Sequence, residues 1–106
     1  MYRWIMEDER IVGAIALRLE ENDFVMRLGH IGYGIRPSAR RRGLGSWALD
    51  VTLQEARRLG LERVLLVCES ANVASASIIE RCGGVAEESE AGAERRYWID
   101  LEQRSF

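Results

Sequence analysis

The chain has 106 residues, 47% of them apolar and 30% charged, with a net charge of −2. That length suits one domain with a real core, and the composition excludes a disordered chain. All fifteen basic residues are arginine, so Schiff-base or general-base chemistry from a lysine is excluded, and the acidic balance gives no reason to expect nucleic-acid binding. No apolar run approaches the ~20 residues that span a bilayer. No charged-then-apolar leader opens the chain. A cytoplasmic protein off the membrane is expected.

Residues 2–6 read as a strand and Glu7 to Arg10 as a polar turn. Residues 11–19 read as a second strand, with Ile11, Ile15, Leu17 and Leu19 on one side. Glu20 to Asp23 is another turn. Residues 28–36 read as a third strand, interrupted by Gly29, Gly32 and Gly34. Glycines inside a strand mark a bulge or a close approach by something else. Arg36-Pro37 ends it.

Residues 43–59 form the clearest helix, with Leu44, Trp47, Ala48 and Val51 at i, i+3, i+4, i+7. Leu49, Leu53 and Ala56 widen the stripe. The near-continuous apolar run 63–68 suits a strand covered on both faces, as in parallel pairing. Asn72 can cap a helix over 73–82, with Ala74, Ile78 and Cys82 inward, and Gly83-Gly84 ends it. Residues 85–90 and 95–101 are two more strands. The order β-β-β-α-β-α-β-β predicts an α/β (α+β layer) fold over 1–106, a single domain. Its sheet is mixed and mostly antiparallel, with a central βαβ unit over 28–68.

Cys68 and Cys82 lack metal-ligand spacing, and the chain has one histidine, His30; no metal is expected and both cysteines read as buried hydrophobes. Trp4, Trp47 and Trp98 read as core anchors.

The strongest local feature is the run from Arg36 to Ser46. A helix N-terminus presents unpaired N–H groups and about half a positive charge. Gly43 and Gly45 leave that backbone open, and Arg40, Arg41 and Arg42 add cationic charge. An anion cradle suited to a pyrophosphate fits these residues; so does an ordinary glycine-rich helix start with a solvated basic turn. Gly43-x-Gly45-x-x-Ala48, with Glu69 after the next strand, also matches the dinucleotide fingerprint. The Pro-Ser-Ala-Arg-Arg-Arg excursion between strand and glycines argues against that match.

Ile35-Arg36-Pro37, then Arg40-x-x-Gly43-x-Gly45 and the amphipathic helix, resembles the acetyl-CoA-binding motif of GNAT N-acetyltransferases. Val64 to Glu69, Asn72, the short helix and Gly83-Gly84 resemble that family's next motif. The resemblance implies an acyl-CoA N-acyltransferase-like fold that is N-terminally short, beginning at the family's second strand. It implies acetyl-CoA as co-substrate and direct attack by a small-molecule or peptide amine. Backbone N–H groups of Arg41, Arg42, Gly43, Leu44, Gly45 and Ser46, beside Arg40, are implied to bind the pyrophosphate. Gly34 and Ile35 are implied to pair with the pantetheine arm and polarise the acetyl carbonyl, with Asn72 and Ser75 nearby. The family's usual tyrosine aligns with Ile79, which donates no proton. Tyr33, Ser75 or a water is then left as the acid, or the thiolate leaves unassisted, and Glu69 or His30 is left as the base. A non-catalytic CoA-binding or interaction module is the alternative. The first strand offers an open apolar edge, so a homodimer is expected.

Overall fold

The computed structural model describes residues 2–35, 43–87 and 94–102. Six strands and three helices follow one another as β1 (Tyr2–Glu7), β2 (Arg10–Leu17), α1 (Asp23–Leu28), β3 (Ile31–Ile35), α2 (Leu44–Arg58), β4 (Arg63–Glu69), α3 (Val73–Arg81), β5 (Val85–Ala86) and β6 (Glu94–Asp100). They build one sheet in the order β1-β2-β3-β4-β6-β5. Every pairing is antiparallel except β3 with β4. This is the mixed, mostly antiparallel sheet with one parallel junction that the element order predicts.

β1 and β2 meet through Asp8 and Glu9, both at positive φ, the backbone of a two-residue hairpin turn. The ladder slips once: Ile5 faces Gly13 but Met6 faces Ile11. Val12 is the extra residue of this bulge, and it inverts the side-chain alternation around it. Val12, Ile15 and Leu17 are therefore the buried set, while Ile11 and Leu19 are exposed. The expected stripe of Ile11, Ile15, Leu17 and Leu19 is corrected at both ends.

α1 is absent from the sequence-based element order. Asn22 accepts the Val25 N–H through its side chain, and Gly29 closes the helix with its own N–H to the Val25 carbonyl. With six residues, α1 is too short for a helical period to register. Val25 is its buried residue, and the helix packs beside β4. The third strand accordingly starts at Ile31 rather than at residue 28.

The core lies between the sheet and α2. Ile5, Ile15, Ile31, Leu66 and Ile99 meet Ala48, Leu49, Leu53 and Ala56 of the helix. Thr52 is buried there as well and donates its hydroxyl to the Ala48 carbonyl at 2.8 Å, which satisfies it locally. Trp47 and Val51 fall outside this face. Trp47 and Trp4 are each 59% exposed, so neither is a core anchor. Trp98 is half-buried, with the Arg63 guanidinium 4.3 Å over its ring. Cys68 and Cys82 are both buried, as expected. α3 buries Ala76 and Ile79 rather than Ala74.

Candidate active site

β3 and β4 pair in parallel only where β3 begins, against the middle of β4. Their ladder holds one residue pair, Ile31 with Leu66. Beyond it the strands part, and a small cavity of about 100 Å3 opens between them, lined by Gly32, Tyr33, Val67, Cys68, Asn72, Ser75 and Ile79. Broken main-chain pairing in the middle of a sheet is costly unless another group supplies partners. The gap is therefore a place for a ligand that can act as a strand.

A larger cleft of about 630 Å3 joins it at Tyr33, Asn72 and Ser75. That volume suits a sizeable cofactor. One wall is the N-terminus of α2, with Gly43, Leu44, Gly45 and Ser46. Gly43 is the N-cap at φ 77 and offers no capping side chain. The first helical bond runs from the Trp47 N–H to the Gly43 carbonyl, so the N–H groups of Leu44, Gly45 and Ser46 precede the intrahelical ladder. They present donors and the positive end of a 15-residue helix dipole to the cleft. Among the described residues no acidic one lines the cleft, and Arg81 adds a cation. Both facts favour an anionic ligand.

The opposite wall is α3, where Ala74, Ser77, Ile78 and Arg81 line the cleft. These positions are i, i+3, i+4, i+7. Sequence reasoning gave Ala74 and Ile78 to the core and passed over Arg81 and Ser77. The periodicity was a legible signal, but it marks the ligand-facing side of α3. Gly45 seats α2 close to α3: a Cβ there would lie 3.0 Å from Ile78 Cδ1.

Asn72 ties this wall together. Its side-chain oxygen accepts the Ser75 N–H at 3.1 Å and so caps α3. Asn72→Ala should lower stability by about 1 kcal/mol and weaken any ligand in the cleft. Thermal melting with and without CoA reads both effects; an unchanged melting point would deny the cap its role.

Tyr33 lies at the junction of the two cavities. Its hydroxyl is 3.0 Å from Ser75 Oγ. Burial pushes its pKa up, with the Ser75 hydrogen bond opposing, so it is a protonated phenol at neutral pH. Burial likewise pushes the Cys68 thiol up, which disfavours a nucleophilic thiolate beside it.

The structure brings Tyr33, Gly34, Ile35, Gly43, Leu44, Gly45, Ser46, Asn72 and Ser75 to one cleft. Arg40, Arg41 and Arg42 lie outside the described residues. Glu69 is elsewhere: it lines a separate cavity of about 660 Å3 with Leu28, Val67, Cys68 and Glu94. That removes the ribose-binding acid that the dinucleotide fingerprint needs beside these glycines. The strand segment Val67–Cys68 lines the gap and Glu69's cavity alike. His30 lines none of the three; it is fully buried, with Nδ1 accepting the Leu65 N–H at 2.9 Å. A side chain sealed in this way has no path to an incoming amine, so the expectation that His30 acts as a base is corrected.

Comparison with known proteins agrees with this geometry. The acetyltransferase (GNAT) domain model matches residues 1–85. No curated protein matches the sequence. Among solved structures, the GNAT-family acetyltransferase of Streptococcus pneumoniae superposes with a TM-score of 0.75 at 21% identity, over 90% of this chain and 62% of that one. The Salmonella typhimurium protein yncA, solved with its cofactor acetyl-CoA, gives 0.71 at 19% identity, over 94% and 64%. A spermidine N-acetyltransferase chimera from Vibrio cholerae and hSSAT gives 0.73 at 18%, over 96% and 67%. The chain thus spans a little under two thirds of the first two. With its broken parallel junction and open helix start, this chain belongs to the GNAT acetyltransferase family.

Proposed function

We propose that the protein is an acetyl-CoA-dependent N-acetyltransferase that passes an acetyl group directly to an amine in a ternary complex. The observation that carries this is the uncapped α2 N-terminus, opening into a cleft that no acid among the described residues lines and that runs to the gap between β3 and β4. Acetyl-CoA supplies an activated acyl thioester. The N–H groups of Leu44, Gly45 and Ser46 hold the pyrophosphate, with Arg81 on the facing wall and Arg40, Arg41 and Arg42 next in the chain. The backbone of Gly34 and Ile35 receives the pantetheine arm. A Cβ at Gly34 would meet nothing within 4 Å, so there is room for that approach. An N–H near Ile35 stabilises the negative charge that builds on the acyl oxygen. Asn72 and Ser75 orient the arm, and the Tyr33 hydroxyl protonates the departing sulfur. The neutral Cys68 thiol supports direct transfer over an acyl-cysteine route.

The acceptor amine enters from the side of Glu69, where Glu69 and Glu94 face one another across β4 and β6. Glu69 there is the base, across the β4 segment Val67–Cys68 from the gap. No helix among the described residues is long and apolar enough to cross a membrane. A cytoplasmic homodimer completes the proposal, joined through β1, which is an edge strand exposing Tyr2, Trp4 and Met6.

CoA titration by calorimetry and a free-thiol assay over an amine panel test this reading. CoA at a hundredfold excess over Kd should raise the melting temperature by on the order of 10 °C. An amine in the panel should release thiol above background. Failure to bind CoA would refute the assignment. Binding without release would select the second reading, a CoA-binding module without catalysis, which Ile79 at the family's tyrosine position favours.

A further inference from the structure

The parting of β3 and β4 needs a fixed starting point, and one residue stands there. His30 immediately precedes β3 and is wholly inaccessible to solvent. Its main-chain N–H donates to the Leu65 carbonyl at 2.7 Å. Its ring Nδ1 accepts the Leu65 N–H at 2.9 Å. One residue therefore satisfies both main-chain groups of fully buried Leu65, the position just before the single β3–β4 pair.

A backbone carbonyl would ordinarily accept the Leu65 N–H in a parallel ladder. With the His30 N–H on the Leu65 carbonyl, that acceptor would be the carbonyl of Leu28, but Leu28 is the last residue of α1. Gly29, at φ 92, is pressed so close that a Cβ would lie 2.8 Å from the Leu65 oxygen. The imidazole takes over the acceptor role at this crowded crossing.

We infer that His30 is a positioning residue for the acetyl-CoA site: its imidazole pins Leu65 and so sets where β3 and β4 separate and how wide the gap opens. This rests on reading that gap as the pantetheine channel.

The hydrogen bond fixes the chemistry of the ring. Nδ1 must carry a lone pair, so a neutral His30 carries its proton on Nε2. Glu21 Oε1 lies 3.6 Å from Nε2, beyond hydrogen-bond reach. The charged groups around the ring are Glu21 before α1, Arg63 on β4 and Arg18 after β2, with the Trp98 ring of β6 6.3 Å away. Burial lowers the imidazole pKa, Glu21 opposes this and Arg63 reinforces it. A proton on Nδ1 would set donor against donor at Leu65. The stabilisation is therefore complete above the ordinary imidazole pKa of about 6.5 and is lost as pH falls through the lower folded-state value.

Two substitutions separate positioning from mere packing. His30→Asn places Oδ1 where Nδ1 stood and keeps an acceptor. His30→Leu keeps the bulk and removes it. His30→Leu should raise the acetyl-CoA KM by about tenfold to a hundredfold, the consequence of stranding one buried N–H. His30→Asn should stay within about threefold of the parent. Because the chain has one histidine, nitrogen NMR of the unmodified protein reads the tautomer without assignment ambiguity. It should show a bare Nδ1, coupled to the Leu65 amide, down to below pH 6.5. An unchanged KM in folded His30→Leu would overturn the inference. So would equal losses in both variants, or a protonated Nδ1 at neutral pH. If His30→Leu does not fold, retained affinity in His30→Asn together with the bare Nδ1 decides in favour, and their absence decides against. CoA binding by the parent protein is the separate arm: its failure would strike the functional reading, not the role of His30 in the sheet.

Discussion

Gly43→Glu should abolish measurable CoA binding, raising Kd by about a hundredfold or more. Each hydrogen bond to a charged phosphate oxygen contributes ~1.5–3 kcal/mol, and every 1.4 kcal/mol is about tenfold. A carboxylate at this position would sit at the helix start, taking the donors of α2 for itself and repelling the phosphates. The site tolerates the side chain sterically, since a Cβ at Gly43 meets nothing within 4 Å. The backbone does not tolerate it freely, because φ is 77, a region that costs a non-glycine residue ~1 kcal/mol or more. Gly43→Ala carries the same backbone strain without the charge. Calorimetry should therefore find Gly43→Ala within about tenfold of the parent and Gly43→Glu without a binding isotherm. Equal affinities in the two variants would remove the diphosphate from this corner.

Tyr33→Phe should lower kcat by about a hundredfold, at the low end of what a positioned proton donor supplies, with little change in the acetyl-CoA KM. The substitution deletes one oxygen and its contact to Ser75 Oγ, leaving the ring among its core neighbours. Because burial raises the Tyr33 pKa above its ordinary 10.0, the acid form persists across the neutral range. The Tyr33-dependent rate should thus be flat through neutrality and fall only above pH 10. The same shift makes stability decline as pH rises beyond 10, since the unfolded chain ionises first. Steady-state rates over a pH series check this. An unchanged kcat would transfer the proton to Ser75 or to water.

The parts of the fold that were legible in the sequence are those where one physical signal spoke alone. The continuous apolar run 63–68 marked a strand covered on both faces, and β4 is that strand. The glycines of β3 marked a disturbed ladder, and the ladder does break there. The open helix start was legible because Gly43 and Gly45 stand at the head of a strongly periodic helix. What escaped was set by tertiary context. The Val12 bulge inverts β2, and the glycine beside it, Gly13, was its one mark. α1 spans less than two turns, so its caps, Asn22 and Gly29, were its only marks. The apolar residues of α3 divide between the core and a cleft, and hydropathy alone does not separate Ile79 from Ile78. His30 has the chemistry of a base, but only the three-dimensional placement of Leu65 reveals that its ring stands in for a carbonyl.

The interrupted junction has a mechanical meaning for the whole molecule. Two three-stranded leaves, β1-β2-β3 and β4-β6-β5, are stitched together by one ladder pair, by the two hydrogen bonds between His30 and Leu65, and by the helix that lies across them. A guest threaded into the seam would complete the missing stitches, so the two leaves would yield to denaturant as one body when it is present and more independently when it is gone.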